Sequence, residues 1–333
     1  MRSGVRVEAG GARKRAAVAQ ESTRDLAIDR LRGALVILMV GGNYLGGVQI
    51  VPAYLKHAPD IGFTVADMVA AAFVFLIGVN YGPSFARQLR QGAVASYRHF
   101  LVRYVALFGI GAILAVGATN VAGIATDWGV LEAIGVAGLV CLALIRLPAW
   151  ARFVIGFLML CGYQYLLDSS MLAAVLHSVH GGPVGALSWA ALLVLSTAVA
   201  DVWRKRRGPF AICCAALVVA AAISVLIVPV SKNRVSLSYV LVTLAISTLI
   251  FTAVELGSRV TSNRAGFFCW WGENPLVLYL LHLLLLAIVV LPGVEWWYAG
   301  ATVGLVALQL VVILTIMSVI AWGMHRRRFR IRL

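Results

Sequence analysis

An imidazole and a carboxylate ten positions apart are the first groups in this chain able to move a proton together. His57 lies in Tyr54-Leu55-Lys56-His57-Ala58-Pro59, a polar stretch between two apolar runs. Histidine changes charge near neutral pH, so it can act as a general base. Asp67 closes Thr64-Val65-Ala66-Asp67. This is a capping-box pattern, in which the threonine caps a helix and the acid three residues on reaches back to it. A carboxylate can also orient a histidine base. The two roles of Asp67 are compatible. Without its neighbours, His57 reads as an ordinary solvated loop histidine.

Two further places carry polar groups inside apolar sequence, where each is costly and therefore a candidate for function. Asn43 sits in Gly41-Gly42-Asn43-Tyr44-Leu45-Gly46-Gly47. Four glycines in seven residues loosen a helix or let another backbone approach closely. Asn43 is then either a helix-packing amide or a hydrogen-bond donor in a site. The second place is Gly272-Glu273-Asn274-Pro275-Leu276-Val277-Leu278-Tyr279-Leu280-Leu281-His282. Asn274 before Pro275 is expected to be an N-cap with proline at the first helical position. Spacings of four put Asn274, Leu278 and His282 on one face, with Tyr279 three before His282. His282 faces protein or a water-filled channel, as a satisfied interior histidine or as part of a site. The free N–H groups at this helix start, with Arg259 and Arg264 nearby, can hold an anion such as a nucleotide phosphate.

Other motifs are weaker. The sequence shows no phosphate-binding loop, no G-x-S-x-G elbow and no metal-ligand set; His177 and His180 stand three apart without an evident third ligand. Cys141, Cys161, Cys213, Cys214 and Cys269 lie in or beside apolar segments and read as buried hydrophobes, with no disulfide inferred.

The elements that must position these groups are membrane helices. Hydrophobic residues make up 62% of the 333 and charged residues 12%, with a mean hydropathy of +0.93. A soluble core of this size cannot hide so much apolar surface. A helix crosses a bilayer in about 20 residues, and ten runs qualify by sequence: 31–51, 64–82, 100–118, 128–147, 150–167, 184–202, 209–230, 236–256, 272–291 and 299–324. The expected fold is all-α, polytopic, with about ten spans. It has a disordered basic tail over 1–30, a transmembrane domain over 31–325 and a basic C-terminus over 326–333. No internal repeat or cleavable leader is evident.

The net charge of +15 does not indicate nucleic acid, because the cations fall between the apolar runs. With ten spans and a cytoplasmic N-terminus, 25 of the 28 Lys and Arg lie on the cytoplasmic side. Only Lys56, Lys232 and Arg234 face outward. This asymmetry predicts an N-in, C-in topology. It places His57 on the outer face and Asn43, about 18 Å along its helix from Leu31, in the outer half of the bilayer.

In combination, these segments resemble the heparan-alpha-glucosaminide N-acetyltransferase family of transmembrane acyltransferases. Ile28-Asp29-Arg30-Leu31-Arg32-Gly33 resembles its L-D-x-x-R-G start. Lys56-His57-Ala58 through Gly62-Phe63-Thr64-Val65-Ala66-Asp67 resembles its K-H-A-x-W-x-G-x-T-x-x-D-L pattern. Phe73 to Gly78, Trp128 to Glu132, Ser238-Tyr239-Val240-Leu241 and Gly272 to His282 follow in the family's order. The chain departs at Ala70-Ala71, at Ala133 and at 180–185, where the family has a proline, an arginine and a D-P-E-G segment.

The resemblance implies an enzyme that takes acetyl-CoA from the cytoplasm, as donor substrate rather than resident cofactor. It implies transfer of the acetyl group through the helices to an amine or hydroxyl of a saccharide-type acceptor outside. By the same resemblance, His57 and Asn43 are catalytic, with Asp67 orienting His57. The donor is expected along Arg32, Arg259, Asn274, Tyr279, His282 and Ser238. A homodimer fits the resemblance. The expected location is multi-pass, in a plasma membrane such as the bacterial inner membrane, with both termini cytoplasmic. A transporter of a small polar or lipid-linked solute is the alternative. A glycine-interrupted helix and a buried histidine suit it, while the absent inverted repeat and the one-sided polar cluster favour the enzyme.

Overall fold

A computed structural model describes residues 26–122, 128–205, 207–260 and 266–331. Among these residues there is no strand. The helices are α1 (Leu26–Gly46), α2 (Val65–Leu89), α3 (Ala93–Ala122), α4 (Val130–Leu144), α5 (Ala149–Leu166), α6 (Leu172–His177), α7 (Gly182–Lys205), α8 (Arg207–Ile227), α9 (Leu237–Val260), α10 (Phe267–Glu273), α11 (Pro275–Val290) and α12 (Val303–Arg326). Every apolar run singled out in the sequence is helical over most of its length, because only helices satisfy a spanning backbone from within.

Seven helices are long and apolar enough to cross a membrane on their own, including Val65–Leu89, Val179–Lys205 and Val303–Arg326. An eighth span exists only if α10 and α11, bent by 90° at Asn274, are one. Helix α1 carries Asp29, Arg30 and Arg32 in its first turns, and α4 has only 15 residues. Neither therefore qualifies on length and composition alone, and the expected count of ten is not reached by that measure.

Several expected boundaries change. Helix α1 begins at Leu26, so residues 26–30 of the expected tail are helical, with Asp29 buried and its carboxylate 3.1 Å from Arg32 Nη1. It ends at Gly46 and not at Val51. The expected outer loop over 168–183 is largely wound: a π turn at Leu167–Met171 carries α5 into α6. The expected continuous helix over 272–291 is broken, since proline at 275 can start a helix but cannot continue one.

The centre of the bundle is α7, whose Trp189 to Val194 are completely buried. It packs against α2, α4 and α5. Gly78 of α2 admits α7 closely, since a Cβ there would lie 2.5 Å from the Ser196 Cβ. A buried Arg152 fastens α5 to α7: its Nη1 donates to Thr197 Oγ1 at 2.7 Å, and its Nη2 pairs with Asp201.

The second packing centre is where α1 crosses α10. A Cβ at Gly33 would stand 1.8 Å from the Phe268 carbonyl oxygen, and one at Gly272 would stand 2.0 Å from the Asp29 carbonyl oxygen. The two backbones touch there as only glycine permits. Arg32 Nη1 donates to the Gly272 carbonyl at 3.2 Å and binds the crossing from the side.

Candidate active site

The His57 segment leaves α1 at Gly46 and returns to the membrane at Thr64. Thr64 is the N-cap of α2, and the capping box is complete: Asp67 N donates to Thr64 Oγ1, and Thr64 N donates to Asp67 Oδ2 at 3.0 Å. The Thr64 hydroxyl and Ala58 N also donate to Oδ2, at 3.0 and 3.2 Å. The other carboxylate oxygen, Oδ1, accepts from His57 Nδ1 at 2.8 Å. Asp67 thus closes the cap of α2 through one oxygen and accepts from His57 through the other.

The geometry fixes the histidine for proton transfer. Asp67 is completely buried, whereas the His57 side chain is 43% exposed. A carboxylate accepting from Nδ1 leaves the Nε2 lone pair outward. An exposed nitrogen with an oriented ring is the arrangement of a general base or of a nitrogen nucleophile.

The loop holding His57 is stapled by a segment about 170 residues later. Ser231 Oγ donates to Asp60 Oδ1 at 2.9 Å, Asn233 Nδ2 to the Pro59 carbonyl at 2.6 Å, and Gly62 N to the Val230 carbonyl at 2.9 Å. Arg234 Nε donates to Asp60 Oδ1 at 2.9 Å, and its Nη2 pairs with Oδ2. That guanidinium holds the Asp60 carboxyl below the usual carboxylate range. The buried Tyr239 hydroxyl donates to the Asp67 carbonyl at 2.8 Å. Sequence reasoning gave none of these residues a role in the site, although Tyr239 lies in the Ser238-Tyr239-Val240-Leu241 segment singled out by resemblance. Pairings across such separations leave no local pattern; the charge count offered a signal, since two of the three cations expected outward, Lys232 and Arg234, fall in one short loop.

A second pair joins α1 to α11. Asn43 Nδ2 donates to His282 Nε2 at 2.9 Å. His282 and Leu278 are the buried residues of α11, as their spacing predicted, and the Tyr279 ring lies 5.2 Å from that of His282. Next to Asn43, Tyr44 donates to Gln309 Oε1 at 2.6 Å, and Tyr298 donates to the Tyr44 carbonyl at 2.8 Å. These bonds fix the C-terminal end of α1. Close approach at the glycine cluster is confined to Gly47, where a Cβ would meet the Tyr298 hydroxyl at 2.5 Å. Gly41, Gly42 and Gly46 have open space beside them, and the helix runs through them without unwinding.

The remaining expected residues take other positions. Asn274 occupies the N-cap position of α11 but makes no side-chain cap. Its Nδ2 donates to the Phe329 carbonyl at 2.9 Å and its Oδ1 accepts from Ile331 N at 3.0 Å, so it ties down the C-terminal residues instead. Ser238 is buried, with Oγ 3.0 Å from both Ser236 Oγ and the Pro229 carbonyl. Arg32 serves the α1–α10 crossing. The Arg259 side chain and Arg264 lie outside the described residues.

Fold and site together define a class: a multi-pass helical membrane protein with a carboxylate-bonded imidazole in the connection between α1 and α2. Residues 24–184 match the family model described as heparan-alpha-glucosaminide N-acetyltransferase, catalytic, so the resemblance carried by the motifs is borne out over that stretch. The human heparan-alpha-glucosaminide N-acetyltransferase is 43% identical over 65 residues, which cover 20% of this chain and 9% of that protein. The mouse protein of the same name is 40% identical over 65 residues, 20% of this chain and 10% of its own length. The match thus spans about one-tenth of these relatives.

Proposed function

We propose that this protein is a membrane acetyltransferase that moves an acetyl group from acetyl-CoA to an amine or hydroxyl on the opposite side of the bilayer. The observation that carries the proposal is the 2.8 Å bond from a half-exposed His57 to a fully buried Asp67, inside the segment that matches the catalytic family model.

His57 Nε2 takes the proton of the acceptor N–H or O–H while the freed lone pair attacks the thioester carbon. The carbonyl π electrons move onto oxygen, giving a tetrahedral oxyanion. The oxyanion collapses, the C–S bond breaks, and the coenzyme A sulfur leaves as thiolate and takes the proton from His57. Asp67 supports the ring while it is cationic. Asn43 has one amide N–H on His282 and a second for the oxyanion, a donor worth about 3–4 kcal/mol when prearranged. Transfer through an acetyl-imidazole on the same nitrogen uses the same residues.

The donor is assigned to the side of the bundle opposite His57. Arg32 is nearest its entry, and Tyr279 and His282 line its approach to Asn43. Asn274 and Ser238 are left out of this assignment because their polar atoms are engaged within the protein. The acceptor is assigned to the saccharide class, as the relatives' names indicate. The test is purified protein in liposomes with radiolabelled acetyl-CoA and an amino-sugar acceptor. Wild type should give labelled acetyl-sugar and His57→Ala should give about 10²–10⁴-fold less. Full transfer by His57→Ala would remove His57 from the chemistry.

A further inference from the structure

One cation at this site has no described protein partner. Lys232 lies in the Ser231–Val235 turn that staples the His57 loop, between Ser231 and Asn233, both of which bond to that loop. It is only 6% exposed, yet its ammonium donates no hydrogen bond to any described residue. Asp67 lies within reach of its charge, and so does His180, which in turn feels His57.

Asp67 does not satisfy this ammonium. Its two oxygens already accept from His57 Nδ1, Ala58 N, Thr64 N and Thr64 Oγ1, and it forms no ion pair with Lys232 within 4 Å. Asp60 is likewise taken by Arg234 and Ser231. The side chain is largely desolvated but its ammonium is not sealed from solvent, so a ligand oxygen can reach it and gains a charge-assisted bond where water competes little. Burial brings the Lys232 ammonium down to about 8, so it is still largely charged at neutral pH.

We propose that Lys232 is an acceptor-binding residue of the His57 site, and that it selects acceptors carrying an anionic oxygen, such as a sugar carboxylate, beside the amine or hydroxyl to be acetylated. This rests on the transferase reading given above. Two-point attachment follows. Lys232 holds the anionic oxygen and His57 meets the reacting group, and the Asp60–Arg234 staple fixes the spacing between them. A neutral acceptor lacks the first point and binds through the second alone.

The experiment compares wild type, Lys232→Met and Lys232→Arg in liposomes, with an amino sugar and the same sugar bearing a carboxylate. The expected result is a KM for the acidic sugar raised about tenfold or more in Lys232→Met, the scale of one lost charge-assisted hydrogen bond. The KM for acetyl-CoA stays the same, and Lys232→Arg recovers part of the loss. An unchanged acceptor KM overturns the proposal, as does an equal loss for both sugars and for acetyl-CoA. Binding is read separately, without turnover, as thermal protection by the acidic sugar in a His57→Ala background. Protection that needs Lys232, found together with a wild type that transfers no acetyl group to either sugar, would sink the transferase reading and keep the binding site. Turnover that ignores Lys232 would do the reverse. Lys232→Gln gives the same readout if the methionine variant does not fold.

Discussion

Asp67 illustrates how one side chain serves structure and chemistry together. Its Oδ2 closes the cap of α2 and its Oδ1 holds His57. Asp67→Asn puts an amide donor among four donors, which costs about 1–3 kcal/mol for an unsatisfied buried group. Transfer should fall about 100-fold or more, beyond what lost stability explains; a melting curve beside a rate assay separates the two. The sequence made this pair legible because Thr64-x-x-Asp67 is a local pattern and His57 is close by. It did not reveal that Asn43 and His282, 239 residues apart, donate and accept across a 2.9 Å bond. Lys232 adds a pH dependence with a definite sign. Its folded value of about 8 lies under the ordinary 10.5, so the unfolded chain binds that proton more tightly. Stability from this group is full above about 10.5 and is lost as pH falls through about 8. Relative to Lys232→Met, the wild-type melting temperature should therefore rise between pH 8 and pH 10. A constant difference across that range would contradict the assignment.

At the scale of elements, the α1–α10 crossing and the loop staple do the positioning. Gly33 and Gly272 belong to motifs that the sequence offered only as a resemblance, and the structure supplies their physical reason. Each faces the other helix's backbone at a distance no Cβ tolerates. Gly272→Ala should cost about 1–3 kcal/mol or more from overpacking, read as a lowered melting temperature with α1 displaced. An unaltered midpoint would show that the crossing is looser than described. The staple is partly exposed, so Asp60→Asn should change stability little. It should slow transfer about tenfold by releasing the His57 loop, an effect Arg234→Gln should reproduce. The bend at Asn274 was missed because an Asn-Pro pair reads locally as a helix start. What decides the direction of the preceding chain is the α10 crossing and the bonds of Asn274 to Phe329 and Ile331, which are distant in sequence.

For the whole molecule, the helices themselves were legible, since nine of the ten apolar runs each became one and the tenth became two. Their membrane count was less so: charge in α1 and the short α4 leave seven helices that qualify alone. The site is also a product of the whole chain. His57 and Asp67 lie within residues 24–184, which match the family model, but the groups that clamp them come from 229–239. The Lys and Arg asymmetry of the sequence predicts that His57 lies across the bilayer from the arginine-rich face, and the proposed activity depends on that separation. Sealed vesicles with radiolabelled acetyl-CoA confined to the arginine-rich side and an amino sugar confined to the other measure it directly. Labelled acetyl-sugar should appear on the far side with wild type and not with His57→Ala. Label that remains on coenzyme A, or product that forms only where donor and acceptor share one compartment, would contradict transfer across the membrane.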